Sequence, residues 1–249
     1  MEKQPNQFPT EEVTLPSKGI LYPENSPLRS GVIEMKYMTA REEDILTNTN
    51  LIENGTVIDK LLQSLIITPI DYNELLIGDK NAILIAARIL GYGKDYEFEY
   101  NNEDIVIDLT EIEDKPINEK LVKDGKNEFP FTLSASKTNI TFKFLTHADE
   151  NKIENELKGL KKVNKKSSAD LSTRMKYLIT SVEGNYENKD IREFVDTRLL
   201  ARDARELRNY IKENQPDVDL SFDYEDKRGN LKKVLIPLSI NFFWPDAGV

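Results

Sequence analysis

The chain has 249 residues, 39% of them hydrophobic and 31% charged, and carries a formal net charge of −10. That is apolar material enough for one large domain or two ordinary ones beneath a heavily charged surface. The acidic balance, with a pI near 4.9, opposes phosphate backbones and predicts no nucleic-acid partner. The lack of cysteine excludes disulfides, thiolate zinc sites and a cysteine nucleophile.

No run approaches the roughly 18–20 apolar residues of a membrane span, so no membrane partner is expected. The longest apolar-rich stretch, 75–90, is interrupted by Asp79, Lys80, Asn81 and Arg88. The polar first residues have no apolar signal core, and a soluble protein that stays where it is made is expected.

In chain order, residues 1–11 read as a flexible arm carrying Pro5 and Pro9. Residues 11–20 read as a short extended element ending in the turn Ser17-Lys18-Gly19, and the alternation in 31–38 (GVIEMKYM) predicts a strand. Thr39-Ala-Arg-Glu42 has the form of a capping box and predicts a helix from Ala40 into 48–50. Thr56 to Asp59 opens a second helix with Ile58, Leu61, Leu62 and Leu65 on one face, ending before Pro69. Asp71 to Glu74 suggests a single helical turn. Another helix is expected from Asp79, closed by Gly91 and Gly93. Tyr96, Phe98 and Tyr100 alternate, then Ile105, Ile107 and Leu109; with Asn101-Asn102 between them they predict a hairpin.

A polar connector, 116–128, separates a first half (12–115) from a second (129–249) in which the pattern recurs. The second half should hold a strand over 138–145, a helix start at Thr146 to Asp149, and a break at 164–168. An amphipathic helix over 171–182 and helices over 190–196 and 200–212 should follow. A final hairpin then runs from Leu220, Phe222 and Tyr224 through Gly229-Asn230 to Val234, Ile236 and Leu238.

Internal similarity supports two related halves. Shifting the chain by 124 lays 75–100 on 199–224 without a gap, with Leu75/Leu199, Leu76/Leu200, Asp79/Asp203, Asp95/Asp219, Phe98/Phe222 and Tyr100/Tyr224 identical. A shift of 107 matches Ile33/Ile140, Lys36/Lys143, Thr39/Thr146 and Glu43/Glu150. The expected fold is α+β, each half a helical layer on a small antiparallel sheet with a β-hairpin. Asp79 and Asp203 are expected to cap or open equivalent helices.

No arrangement for catalysis emerges, and no cofactor or metal is expected. His147 is the only histidine and reads as an ordinary surface residue just after a helix cap. Phosphate-loop and dinucleotide fingerprints are lacking. Asp219, Asp223, Glu225 and Asp226 read as a solvated hairpin tip rather than a calcium loop. Carboxylate pairs of the kind a hydrolase uses are too numerous to assign.

Three segments could bind partners. They are the lysine run 158–166, with Lys161, Lys162, Lys165 and Lys166; the aromatic cluster Phe242-Phe243-Trp244; and the N-terminal arm. The aromatic cluster also reads as core, and a lysine run of this kind is most often a solvated helix end; binding nucleic acid through these lysines, or acting as a carboxylate-dependent hydrolase, is the remote alternative.

Several longer strings carry a resemblance. They are LPSKG (15–19), MKYMTAREEDILTN (35–48), GTVIDKLL (55–62), GDKNAILIAARILGYG (78–93), LTHADE (145–150), RLLARDARELRNYI (198–211) and FFWPDA (242–247). Together they resemble the baseplate hub and hub-assembly proteins of T4-like contractile-tailed bacteriophages over about 12–247. The resemblance implies a late, non-enzymatic viral protein. It would bind other baseplate or hub proteins, as a hub subunit in the virion or as a transient assembly factor in the host cytoplasm. Relatives with Cys-x-x-Cys pairs on the hairpins differ from this chain, whose stretches 99–107 and 223–234 lack cysteine.

Overall fold

The computed structural model describes residues 9–115, 117–122, 125–163, 169–225, 229–238 and 242–243. It is α+β, with helices packed on small antiparallel sheets. In the first half β1 (Thr10–Thr14) pairs with β2 (Val32–Lys36), Val13 opposite Ile33. Their connection folds back on itself, the Leu15 amide donating to the Gly31 carbonyl over 2.8 Å. Gly31 is required there: it has φ 72°, and a Cβ would stand 2.7 Å from the Lys18 carbonyl carbon.

The capping box at Thr39 opens α1 (Ala40–Leu46), Glu42 accepting from the Thr39 amide at 3.0 Å and from its hydroxyl at 2.6 Å. The predicted helix does not run through to 50. Asn48 accepts from the Leu51 amide and starts a separate α2 (Thr49–Glu53). Next come α3 (Val57–Leu65), a 3-10 turn Tyr72–Glu74 and α4 (Ile77–Tyr92), which ends on Gly93 at φ 84°. The hairpin β3 (Asp95–Tyr100) and β4 (Glu103–Asp108) turns on Asn101 and Asn102, both left-handed at φ 53° and 58°. Tyr96 and Phe98 point into the core while Glu97 and Glu99 face out.

The second half contains β5 (Phe129–Thr132), β6 (Asn139–Phe142), α5 (His147–Val163), α6 (Asp170–Leu178) and β7 (Ile179–Val182). It continues with α7 (Asn188–Thr197), α8 (Ala201–Asn214) and the hairpin β8 (Ser221–Glu225) and β9 (Leu231–Leu235). Two strands of its three-stranded sheet, ordered β5-β6-β7, depart from expectation. β5 opens the second half where only a boundary was marked, and Pro130 fits because β5 is an edge. The helix expected over 171–182 stops at Leu178. There Ile179 turns to φ −78°, ψ 127° and joins β6, the β-branched Ile179, Thr180 and Val182 suiting a strand. The break foreseen at 164–168 lies outside the described residues.

The same contacts are built twice. Lys36 Nζ reaches Glu42 over 2.8 Å, and Lys143 Nζ reaches Asp149 over 2.7 Å. Thr146 repeats the cap of Thr39, its amide donating to Asp149 over 3.1 Å. Met35 bridges Ile66 at the end of α3 as Phe142 pairs with Ile179 at the end of α6.

Asp79 and Asp203, fully buried, occupy the third position of α4 and α8. Neither caps its own helix; Leu76 and Leu200 occupy the cap positions. Each carboxylate instead pins the loop leaving its half's first strand. Asp79 accepts from the Ser17 amide (2.8 Å), the Ser17 hydroxyl (2.7 Å) and Tyr22 (2.6 Å). Asp203 accepts from the amides of Ala135 (2.8 Å) and Ser136 (3.0 Å). One apolar core, from Leu15 to Phe243, runs through both halves.

Candidate functional site

The halves meet along a seam begun by main-chain pairing. Leu76, at the cap position of α4, bridges Thr146 at the start of α5. The His147 amide donates to the Leu75 carbonyl over 2.8 Å, and the Ile77 amide to the Leu145 carbonyl over 3.1 Å. Farther along, Gly78 lies under the Pro216 carbonyl, and Asn81 Nδ2 donates to Asp217 over 2.9 Å. The chain just before the expected connector takes part as well. Asp114 bridges Val218 and the Lys115 amide donates to the Asp217 carbonyl, so the last residues of the first half are tied to the second half. The hairpins stack through equivalent residues, with ring centroids of Phe98 and Phe222 5.4 Å apart and of Tyr100 and Tyr224 4.9 Å apart.

His147 lies inside this seam, 5% exposed, contrary to the surface position expected of it. The residue next to a cap is outward on an isolated helix. Here the cap residue, Thr146, is half-buried and pairs with Leu76 of the other half. Lys80 approaches Nδ1 at 3.3 Å and Asn151 approaches Nε2 at 3.0 Å. Asp59 lies 3.7 Å from Nε2, forms a 2.5 Å ion pair with Lys80 and accepts from Tyr72 over 3.0 Å. Tyr72 meets the imidazole edge to face, centroids 4.7 Å apart.

With a lysine ammonium at Nδ1 the lone pair belongs there and the proton at Nε2, facing the Asp59 carboxylate rather than the Asn151 amide nitrogen, which is itself a donor; this describes a neutral ring. Desolvation first, then the Lys80 charge, push the imidazole below its ordinary 6.5, while Asp59, Glu154 and Glu150 oppose this. Both nitrogens are occupied by the protein's own groups. The cluster therefore joins α3, α4 and α5 around the ring.

A pH dependence follows. The unfolded chain takes up a proton at His147 more readily than the folded one, so stability is full above about 6.5 and falls as pH drops through the depressed folded value. Chemical denaturation across this range should show a steeper acid loss for the wild type than for His147→Gln. Equal slopes would contradict the assignment.

The partner-binding residues proposed from sequence separate. Phe242 and Phe243 are in the core, the Phe242 ring 5.0 Å from Tyr96 and 5.1 Å from Phe243, so these aromatics are occupied within the protein itself. Trp244, Lys165, Lys166 and the first eight residues of the arm lie outside the described residues. Lys161 and Lys162 are exposed on the last turn of α5, beside Leu160 and a Val163 that is 90% exposed. Beyond Ile153 no side chain of α5 is fully buried, which leaves that end as an apolar and basic projection.

A groove of about 800 Å³ between the halves, lined by Tyr22, Glu74, Lys126, Lys143, Asp149 and Lys152, was not foreseen. Its walls come from separate halves, so no local motif marks it. Its carboxylates and lysines are partly spent on each other, as in the Lys143–Asp149 pair. Among the described residues no group of three histidine, aspartate or glutamate side chains is placed to hold a metal, and no helix is long and apolar enough to cross a membrane.

Compared with known protein families, curated proteins and solved structures, the chain finds no match.

Proposed function

We propose that this chain is a non-enzymatic structural or assembly protein of a contractile phage tail, building the central hub of the baseplate through protein–protein interfaces. The observation that carries the reading is where the resembling strings lie. LPSKG is the loop held by Asp79 of GDKNAILIAARILGYG; MKYMTAREEDILTN holds β2 and its capping box; LTHADE and RLLARDARELRNYI supply the matching cap and clamp helix of the second half. Strings that coincide with the repeated frame are what a shared scaffold requires, whereas an enzyme family would share a reacting constellation. The neutral, fully engaged His147 and the exposed α5 end point the same way.

The test is quantitative mass spectrometry on purified virions and on partly built baseplates of a phage producing this protein, against a known baseplate subunit. Stoichiometric presence in virions makes it a hub subunit. Presence only in partly built baseplates makes it a transient assembly factor. Absence from both would refute the reading.

A further inference from the structure

The seam pairs an element of one half with an element of the other, and its repeat-mate is left open at both ends. Leu76, at φ −63°, ψ 146° and 3% exposed, presents the Leu75 carbonyl and Ile77 amide to the Leu145–His147 segment. Its counterpart Leu200 holds the same backbone, φ −67°, ψ 141°, at the cap position of α8, yet is 49% exposed. The counterpart of the receiving segment is Met38 to Ala40, at the start of α1. Among the described residues the Leu199 carbonyl, Ala201 amide, Met38 carbonyl and Ala40 amide make no main-chain hydrogen bond. One chain thus carries one unused copy of each side of its own seam.

Charge complements the two open sides. Arg198, Arg202 and Arg205 are exposed around Leu200, on a protein whose net charge is −10. Glu43 and Asp44 are exposed on α1 behind Thr39 and outnumber Arg41, the exposed base on the same turn.

From this we infer that a second copy of the chain docks head to tail. Leu200 of one copy pairs antiparallel with Thr39 of the next, as Leu76 pairs with Thr146 within each chain. The Ala201 amide donates to the Met38 carbonyl of the next copy, and that copy's Ala40 amide donates to the Leu199 carbonyl. The contact buries Leu200, and its arginines face α1 acids. It is heterologous, the kind that propagates into rings or filaments according to the rotation between copies. It deepens the reading of the chain as an assembly protein, resting on it only for its biological use. Self-association by a protein dispensable for tails would retain this inference and sink the other.

The experiment is light scattering on the full-length protein over a concentration series. The wild type should form species larger than a monomer. Ala201→Pro deletes the donating amide at the first turn of a helix, where proline is tolerated and where the preceding Leu200 is already extended. It should weaken association roughly tenfold or more, with circular dichroism and melting unchanged. Should that variant fold poorly, Arg202→Glu is the alternative. It should lose association, and Glu43→Arg combined with it should restore it. A wild type that stays monomeric at its highest soluble concentration would overturn the inference, and so would folded variants that associate as well as the wild type.

Discussion

Asp79→Ala should destabilise the chain by about 3–5 kcal/mol, read as a lower denaturation midpoint at unchanged slope. The carboxylate has no surface exposure and receives three donors from a loop about sixty residues earlier. Burial raises the Asp79 carboxyl above its ordinary range while the Ser17 and Tyr22 donors oppose the rise. Its truncation leaves the Ser17 amide, the Ser17 hydroxyl and the Tyr22 phenol without an acceptor. Tyr22 also accepts from the Leu76 amide over 3.0 Å, so the loss spreads to the start of α4 and hence to the seam. Asp203→Ala removes the acceptor of two amides on the repeat-mate loop and should cost less, about 1–3 kcal/mol. Equal midpoints for Asp79→Ala and the wild type would contradict the clamp.

Gly78→Ala should also destabilise, by about 3 kcal/mol, through overpacking against backbone. Glycine to alanine inside a helix ordinarily stabilises by about 0.5–1 kcal/mol, so the sign is the test. A Cβ at Gly78 would overlap the Pro216 carbonyl oxygen and stand 2.8 Å from Asp217 Cα, atoms that cannot rotate aside. The damage falls where α4 of the first half meets the end of α8 in the second. Gly159→Ala, in α5 with nothing within 4 Å of its Cβ, is the control and should stabilise by the ordinary amount. If the two substitutions shift the midpoint alike, the halves are not packed as described.

Much of the frame was legible because it is written in short-range chemistry. Thr39 and Thr146 start helices through an acid three residues on, Asn101-Asn102 turns a hairpin, and alternation in β3 and β8 marks strands. The duplication was legible because the clamp and cap need the same residue types twice. Long-range features were less so. Asp79 and Asp203 were located, but their work was misassigned to their own helices because the loops they hold are distant in sequence. β7 was taken for helix because Leu178 and Ile179 continue an apolar face; only pairing with β6 decides the matter. His147 looked exposed because Asp59, Tyr72 and Lys80, which pack against it, belong to the other half.

The most direct test of the proposed role is to introduce a nonsense codon early in the gene and count tails by electron microscopy of infected cells. The expected result is filled heads without tails, with baseplates halted before the hub is complete, and recovery when the protein is supplied in trans. Complete, infectious particles in its absence would contradict that role.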